Sequence, residues 1–342
     1  MSVGFVYDPI FLEHDTGEHP ENARRLTATM ALLEESGLLA ALTRIPVRAA
    51  SADELSLAHD PRYVGAVERV AGEGGGWVDP DTLIMPRSYA VAAHVVGGTL
   101  NALDALMRGD VESAFCLVRP PGHHATPVQA MGFCLFNHVA VAAEYARARH
   151  GLERVAIVDY DVHHGNGTQD AFYDDPGVLY VSTHEFPFYP GTGPAEDVGA
   201  DAGLGYNVNV PMPHGSGDAE YRRAFEAIVM PAVRRFRPQL ILVSAGYDAH
   251  FADDIALQQL SVDGYDTLVS MIVAAAADLC DGRALFALEG GYHLTALPWS
   301  VRRTLEVMRG DGPAPDPLGT AIARTPPGFD DMIARVKSLH GL

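Results

Sequence analysis

The chain has 342 residues, is 48% hydrophobic and carries a formal net charge of −20 at pH 7. That length can bury a substantial core, as one large α/β domain or two smaller ones, and the composition excludes a low-complexity or disordered chain. The acidic surplus argues against a nucleic-acid binder that neutralises phosphates with a basic surface; it suits cationic substrates, or simply solubility.

In chain order, short β-branched runs alternate with longer segments of helical periodicity. SVGFVY opens the series, and helices are predicted over 22–36, 61–71 and 88–108 before the strand SAFCLV at 113–118. A helix over 138–149 leads to RVAIVDY at 154–160, VLYVST at 178–183 and YNVNV at 206–210. Then come a helix over 218–235, LILVSAG at 240–246, a helix over 261–280, ALFALEGG at 284–291 and a helix over 294–309. Such alternation predicts a single-domain α/β fold with a mostly parallel central sheet and helices on both faces. The domain is expected to span 1–309, and the Pro-rich GDGPAPDP at 310–317 opens an extension, 310–342, whose short helix over 328–339 packs on the same domain.

The start, MSVGFVYDPIF, lacks a basic segment followed by a long apolar core, and no stretch is expected to reach the roughly 18 to 20 apolar residues of a membrane span. Cys116, Cys134 and Cys280 form no C-x-x-C pair and read as buried free thiols. The expectation is a soluble cytoplasmic protein that binds neither membrane nor nucleic acid; its oligomeric state is not written in the sequence.

In open α/β sheets, ligands bind at the carboxyl ends of the strands, so the segments after each strand enumerate the candidate site. These are RPPGHHA, DYDVHHGNG, STHEFPFYPGTG, GYDAH and EGGYH, rich in His, Asp and Glu. Asp161 and His163 stand two apart at a strand end and can point to one face. As a bare pair they are as well explained by a satisfied hydrogen bond. Asp248, from another strand, makes a third donor. Two carboxylates and one imidazole leave an open position on Zn2+, as a catalytic site requires, and such an ion brings the pKa of bound water to about 7. His123 and His124 follow a Pro- and Gly-forced turn; if it faces the metal, one imidazole can take a proton from water and return it to a leaving amine. Asp159 and Asn166 are placed to fix the two tautomers. Tyr292, after two glycines, is a candidate oxyanion donor. These parts describe metal-assisted hydrolysis of an amide or ester.

Taken together and in this order, HPENARR, RPPGHHA, GFCLFN, DYDVHHGNGTQ, FYPGTG, SAGYDAH and EGGY resemble the zinc-dependent histone deacetylase and acetylpolyamine amidohydrolase family, over roughly residues 5 to 309. The resemblance implies an arginase-like fold and hydrolysis of an N-acetylated amine, acetyl-lysine or acetylpolyamine, to acetate and free amine. It implies Asp161, His163 and Asp248 as zinc ligands, His123 and His124 as the histidine dyad paired with Asp159 and Asn166, and Tyr292 as the transition-state tyrosine. Asn166, where an acid often stands, is similar to the class II branch and its bacterial relatives. Gly132, Phe133 and Tyr189 would line a narrow tunnel with Arg25 near its inner end, and Asp81 would hold substrate at the rim. Structural K+ is implied at Asp159, Asp161, His163, Ser182 and Thr183, and at Phe172, Asp175, Val178 and Tyr206. FADDIALQQL departs from the family's usual run and places Ile255 at a substrate-sorting position, leaving substrate choice open. Two alternatives are a dinuclear manganese ureohydrolase, disfavoured by Gly165 and Gly246, and a non-catalytic sensor of an acetylated ligand, disfavoured by the complete ligand set with Tyr292.

Overall fold

The computed structural model describes residues 2–312, 316–321 and 324–342. Its strands are β1 (Val3–Val6), β2 (Thr43–Arg44), β3 (Gly76–Asp79), β4 (Thr82–Ile84), β5 (Ser113–Cys116), β6 (Val155–Asp159), β7 (Val178–Glu185), β8 (Asn207–Met212), β9 (Leu240–Ala245) and β10 (Ala284–Leu288). Its helices are α1 (Arg24–Glu35), α2 (Ala52–Leu55), α3 (Pro61–Gly72), α4 (Ser88–Arg108), α5 (His138–His150), α6 (Asn166–Phe172), α7 (Asp218–Ala224), α8 (Met230–Phe236), α9 (Val262–Leu279), α10 (Ala296–Arg309) and α11 (Phe329–His340).

Eight strands form one sheet in the order β2-β1-β5-β10-β9-β6-β7-β8, every pairing parallel. The central strands read as continuous apolar runs because helices cover both faces; β5, β6, β7, β9 and β10 are buried throughout. After β5 the chain builds outward through β6, β7 and β8, then returns to insert β9 and β10 between β6 and β5. Parallel pairing puts the carboxyl ends of five adjacent strands, β5, β10, β9, β6 and β7, on one edge. The loops that emerge there meet at the switch in strand order, where α/β sheets bind ligands.

Local chemistry sets the helix starts. Asn137 caps α5 by accepting from the Ala140 amide, Ser261 caps α9 by accepting from the Gly264 amide, and Asp60 with Pro61 begins α3. The helix expected over 218–235 is α7 and α8 joined through a wider π turn at Phe225–Val229. Pro231, with no amide to give the carbonyl four residues back, follows that turn. The α4 helix corrects the expectation about membrane spans: by length and apolarity it could cross a bilayer, but 72% of its most apolar window is buried inside the protein, as in a core helix. The hairpin β3–β4, strand β2 and helix α6 are additions to the predicted elements.

Beyond α10, residues 313–315 of the Pro-rich stretch lie outside the described residues. Asp316 accepts from the Val262 amide at the start of α9 (2.9 Å). Helix α11 buries Phe329, Ile333 and Val336 and contacts β8 and the π turn.

Candidate active site

Strand β6 ends at Asp159, and the next residues turn Asp161 and His163 inward. The Asp159 carboxylate accepts from the Asp161 amide (3.1 Å), and Asp161 Oδ1 accepts from the His163 amide (2.9 Å), two successive Asx turns that fix the D-x-D-x-H backbone. Asp248, beyond β9, accepts from the Val162 amide through Oδ1 (3.0 Å). The donor atoms of Asp161, His163 and Asp248 all lie within 4.8 Å of one another. His163 Nδ1 stands 3.1 Å from Asp161 Oδ1 and 3.2 Å from Asp248 Oδ2. Asp248 Oδ2 is buried without a hydrogen-bond partner, a costly arrangement unless something else meets it.

The cluster demands positive charge. Burial disfavours a charged His163, yet Asp161 and Asp248 overcome it and raise its pKa to about 10. Burial and then Asp161 push the Asp248 carboxyl up to about 6. A divalent cation held by the three donors would satisfy the same demand in place of the proton.

The RPPGHH turn after β5 carries the paired histidines, their ring centroids 4.0 Å apart. His123 Nδ1 lies 3.1 Å from Asp159 Oδ2, and His124 Nδ1 lies 2.8 Å from Asn166 Oδ1. The Asn166 amide nitrogen donates to Met131 Sδ (3.3 Å), so its oxygen faces His124. His124 therefore carries its proton on Nδ1 and keeps a lone pair on Nε2. Burial, then His123 and His163, hold its pKa well below the usual range. For His123, burial is outweighed by Asp161, Asp159 and Glu289, which raise it to about 10.

A cavity of about 200 Å3 opens over this floor, lined by His123, His124 and His163 with Tyr292, Gly132, Phe133, Tyr189, Asp81 and Ile255. Pro121, Phe188 and Gly290 complete the lining. Gly132 is required by close approach, since a Cβ there would stand 2.3 Å from the His124 ring, and its φ is +56°. Phe133 follows at φ +68°, unusual for a side-chain-bearing residue. Its amide donates to Thr82 Oγ1 (3.1 Å), whose hydroxyl donates to Asp81 Oδ1 (2.9 Å). Asp81 is thus both a turn residue of the β3–β4 hairpin and part of the cavity wall.

Arg25 does not line this cavity. It is fully buried, stacks 4.8 Å from the centre of the Tyr292 ring, and donates to the carbonyls of Gly291 (2.6 Å) and Glu289 (2.5 Å). The positions proposed for K+ fall in two groups. Asp159, Asp161, His163, Ser182 and Thr183 lie at and just beyond the end of β6 and on the neighbouring stretch of β7, with Asp159 opposite Ser182. Phe172, Asp175 and Val178 lie at the far end of α6 and the start of β7, and Tyr206 immediately before β8; the Asp175 carboxylate already binds Arg147 and the Gly177 amide.

Several residues that hold the site were not singled out from the sequence. Glu289 Oε2 accepts from the Gly122 (2.6 Å) and His123 (3.1 Å) amides, and Oε1 from the Ser244 hydroxyl (3.0 Å). Glu21 accepts from Arg25 and Arg119, and Asp253 from the Tyr292 amide. Glu289 carried a sequence signal, as an acid inside the apolar and Gly-rich run ALFALEGG, whereas Glu21 and Asp253 sit near other charged residues and carried none.

A family model described as the histone deacetylase domain matches residues 19–308. The chain belongs to the histone deacetylase family. As a member it is an enzyme, a hydrolase of the deacetylase and amidohydrolase type. It is 43% identical over 310 residues to the histone deacetylase-like amidohydrolase of Pseudomonas aeruginosa, covering 90% of this chain and 80% of that one. It is 39% identical over 316 residues to the polyamine deacetylase HDAC10 of Homo sapiens, covering 89% of this chain and 46% of that one. Among solved structures, the HD domain of HDA15 superposes with a TM-score of 0.90 at 35% identity, covering 99% of this chain and 94% of the other. The family's α/β domain, with its parallel eight-stranded sheet, is thus the fold of this chain.

Proposed function

We propose that the chain is a zinc-dependent deacetylase that hydrolyses an N-acetylated amine, of acetyl-lysine or acetylpolyamine type, to acetate and free amine. The observation that carries this reading is the buried Asp161–His163–Asp248 cluster, in which Asp248 Oδ2 accepts no hydrogen bond, beneath an aromatic-walled cavity. Three N and O donors with room left over suit Zn2+ in a catalytic site. Gly165 supports one metal rather than two, because a Cβ there would stand 2.4 Å from Asp159 Oδ2 and from the Tyr180 hydroxyl, leaving no room for a further carboxylate.

When bound, Zn2+ supplies Lewis acidity toward an amide carbonyl and brings the pKa of water to about 7. His124, neutral with Nε2 free, accepts a proton as the water oxygen adds to the carbonyl carbon. It returns that proton to the nitrogen as the C–N bond breaks. His123, held protonated by its carboxylates, places positive charge beside the developing oxyanion, and Tyr292 donates a hydrogen bond to it. Phe133, Phe188 and Tyr189 sheathe the apolar stem of the substrate and exclude water. Asp81 at the rim, with the −20 net charge, favours an amine whose remainder is cationic.

The reading includes structural K+ at the two groups of positions named above. It also includes a reducing cytoplasmic location without a membrane or nucleic-acid partner, supported by three buried free cysteines. Zinc-loaded protein is expected to cleave acetyl-lysine peptides and acetylated putrescine, cadaverine or spermidine. Asp161→Ala should lose both the bound zinc and at least about 10³-fold in rate, comparable to losing a central catalytic group. If zinc-loaded, folded protein leaves every short N-acetyl amine intact, the reading fails and a ligand sensor takes its place.

A further inference from the structure

Tyr292 follows Gly290 and Gly291, and Gly291 sits at φ +114°, a conformation that residues with side chains rarely adopt. Such a loop has little stiffness of its own, so the tyrosine must be held from outside. Arg25 grips the carbonyls of Glu289 and Gly291 just before it. Asp253, only 5% exposed, accepts from the Tyr292 amide (2.6 Å) and the His293 amide (2.9 Å) through Oδ2. Its Oδ1 faces the Ile255 amide (3.3 Å), and its own amide donates to the His250 carbonyl (2.8 Å). One buried carboxylate therefore ties the tyrosine's backbone to the segment that supplies the Ile255 wall.

We infer that Asp253 is a positioning residue: it sets where the Tyr292 hydroxyl meets the substrate carbonyl, and it couples that placement to the Ile255 wall. This rests on the oxyanion role proposed for Tyr292. A shift of the tyrosine by on the order of 1 Å is enough to cost about 10²-fold in rate.

The test is a double-mutant cycle in the zinc-loaded enzyme with an acetyl-lysine peptide substrate. Asp253→Ala is expected to lower kcat by about 10- to 100-fold, with KM within about threefold and bound zinc unchanged. Tyr292→Phe is expected to lower kcat by about 10² to 10³. In the Tyr292→Phe background Asp253→Ala should cost no more than about threefold further, because residues that act through one group are not additive. A double variant that loses the full additional factor overturns the anchoring role, as does Asp253→Ala at the wild-type rate. Asp253→Asn keeps an oxygen for the Tyr292 and His293 amides and should stay within about threefold of the wild-type kcat. A loss as large as for alanine would assign the effect to charge and overturn the inference too. Tyr292→Phe at the wild-type rate is a separate outcome: it removes the tyrosine's proposed role, and the inference with it.

Discussion

Two glycines decide whether the carboxylates can converge. A Cβ on Gly290 would stand 2.0 Å from Asp248 Oδ2 and 2.7 Å from Asp161 Oδ2, and one on Gly246 would stand 2.1 Å from Asp161 Oδ2. No real Cβ contact is that short, so a methyl group at either position must push a ligand oxygen out of place. Gly290→Ala is therefore expected to weaken zinc retention at least about tenfold, in the range seen when groups supporting a metal ligand are lost. Activity should fall in proportion, as read by metal analysis after dialysis against a weak chelator. Gly65→Ala is the control. It lies within α3 with nothing inside 4 Å of its Cβ position, so that variant should keep its zinc and gain up to about 1 kcal/mol from helix propensity. Unchanged zinc retention in Gly290→Ala would mean that the oxygens meet the ion from some other direction.

At the scale of elements, Glu21 joins three parts of the fold. Its carboxylate accepts from Arg119 Nε and Nη2 (both 2.8 Å) beyond β5 and from Arg25 Nη1 (3.1 Å) on α1, while Arg25 reaches the end of β10. All three side chains are buried. Burial alone would raise the Glu21 pKa, but Arg119 and then Arg25 lower it to about 2. Its folded pKa lies below the ordinary value, so its contribution is present above about pH 4.5 and is lost as pH falls toward 2. Glu21→Gln leaves two buried guanidinium groups short of charge and should cost about 3 to 5 kcal/mol at neutral pH in urea unfolding. An effect below about 1 kcal/mol would place these charges in contact with solvent. Such ties also mark where the sequence stops being legible. Strands β5, β6, β7, β9 and β10 and the long helices could be read from period and run length, and Asp161 and His163 from their spacing at a strand end. Glu21 and Arg119 are 98 residues apart, and Arg25 and Gly291 are 266 apart, so no local pattern announces them. Helix α6 was hidden because it is short, contains Gly167 and buries polar residues, Asn166, Thr168 and Gln169, which masks any amphipathic period. The β3–β4 hairpin escaped because Trp77 and Val78 are exposed there, and the alternation of a half-buried strand is missing.

The whole molecule joins an acidic exterior to an interior that contains neutral histidines. Burial, the largest cause in each case, lowers the pKa of His14, His59 and His184 to about 4 and of His138 to about 3. His59 shows why the proton is refused: its Nδ1 faces the Thr126 carbonyl (3.0 Å) while its Nε2 accepts from the Asn137 amide (2.9 Å) at the cap of α5. A second proton on the ring would destroy that capping contact. In the unfolded chain all four rings titrate near the ordinary value of about 6.5. At these four rings the unfolded state therefore binds more protons than the folded one between about pH 6.5 and 4, and their contribution to stability falls as pH falls through that window. Each ring contributes up to about 1.4 kcal/mol per pH unit. Glu21 adds to that fall only at the acid end of the window, as pH nears its unfolded value of about 4.5. The urea midpoint is thus expected to drop from pH 7 to pH 5, with the raised carboxyls of Asp248 and Glu289, which take up protons in the folded state, offsetting part of the slope. His59→Gln should shallow that slope by about one proton, whatever it does to stability at pH 7. A midpoint flat from pH 7 to 5 would show that burial does not keep these four rings neutral.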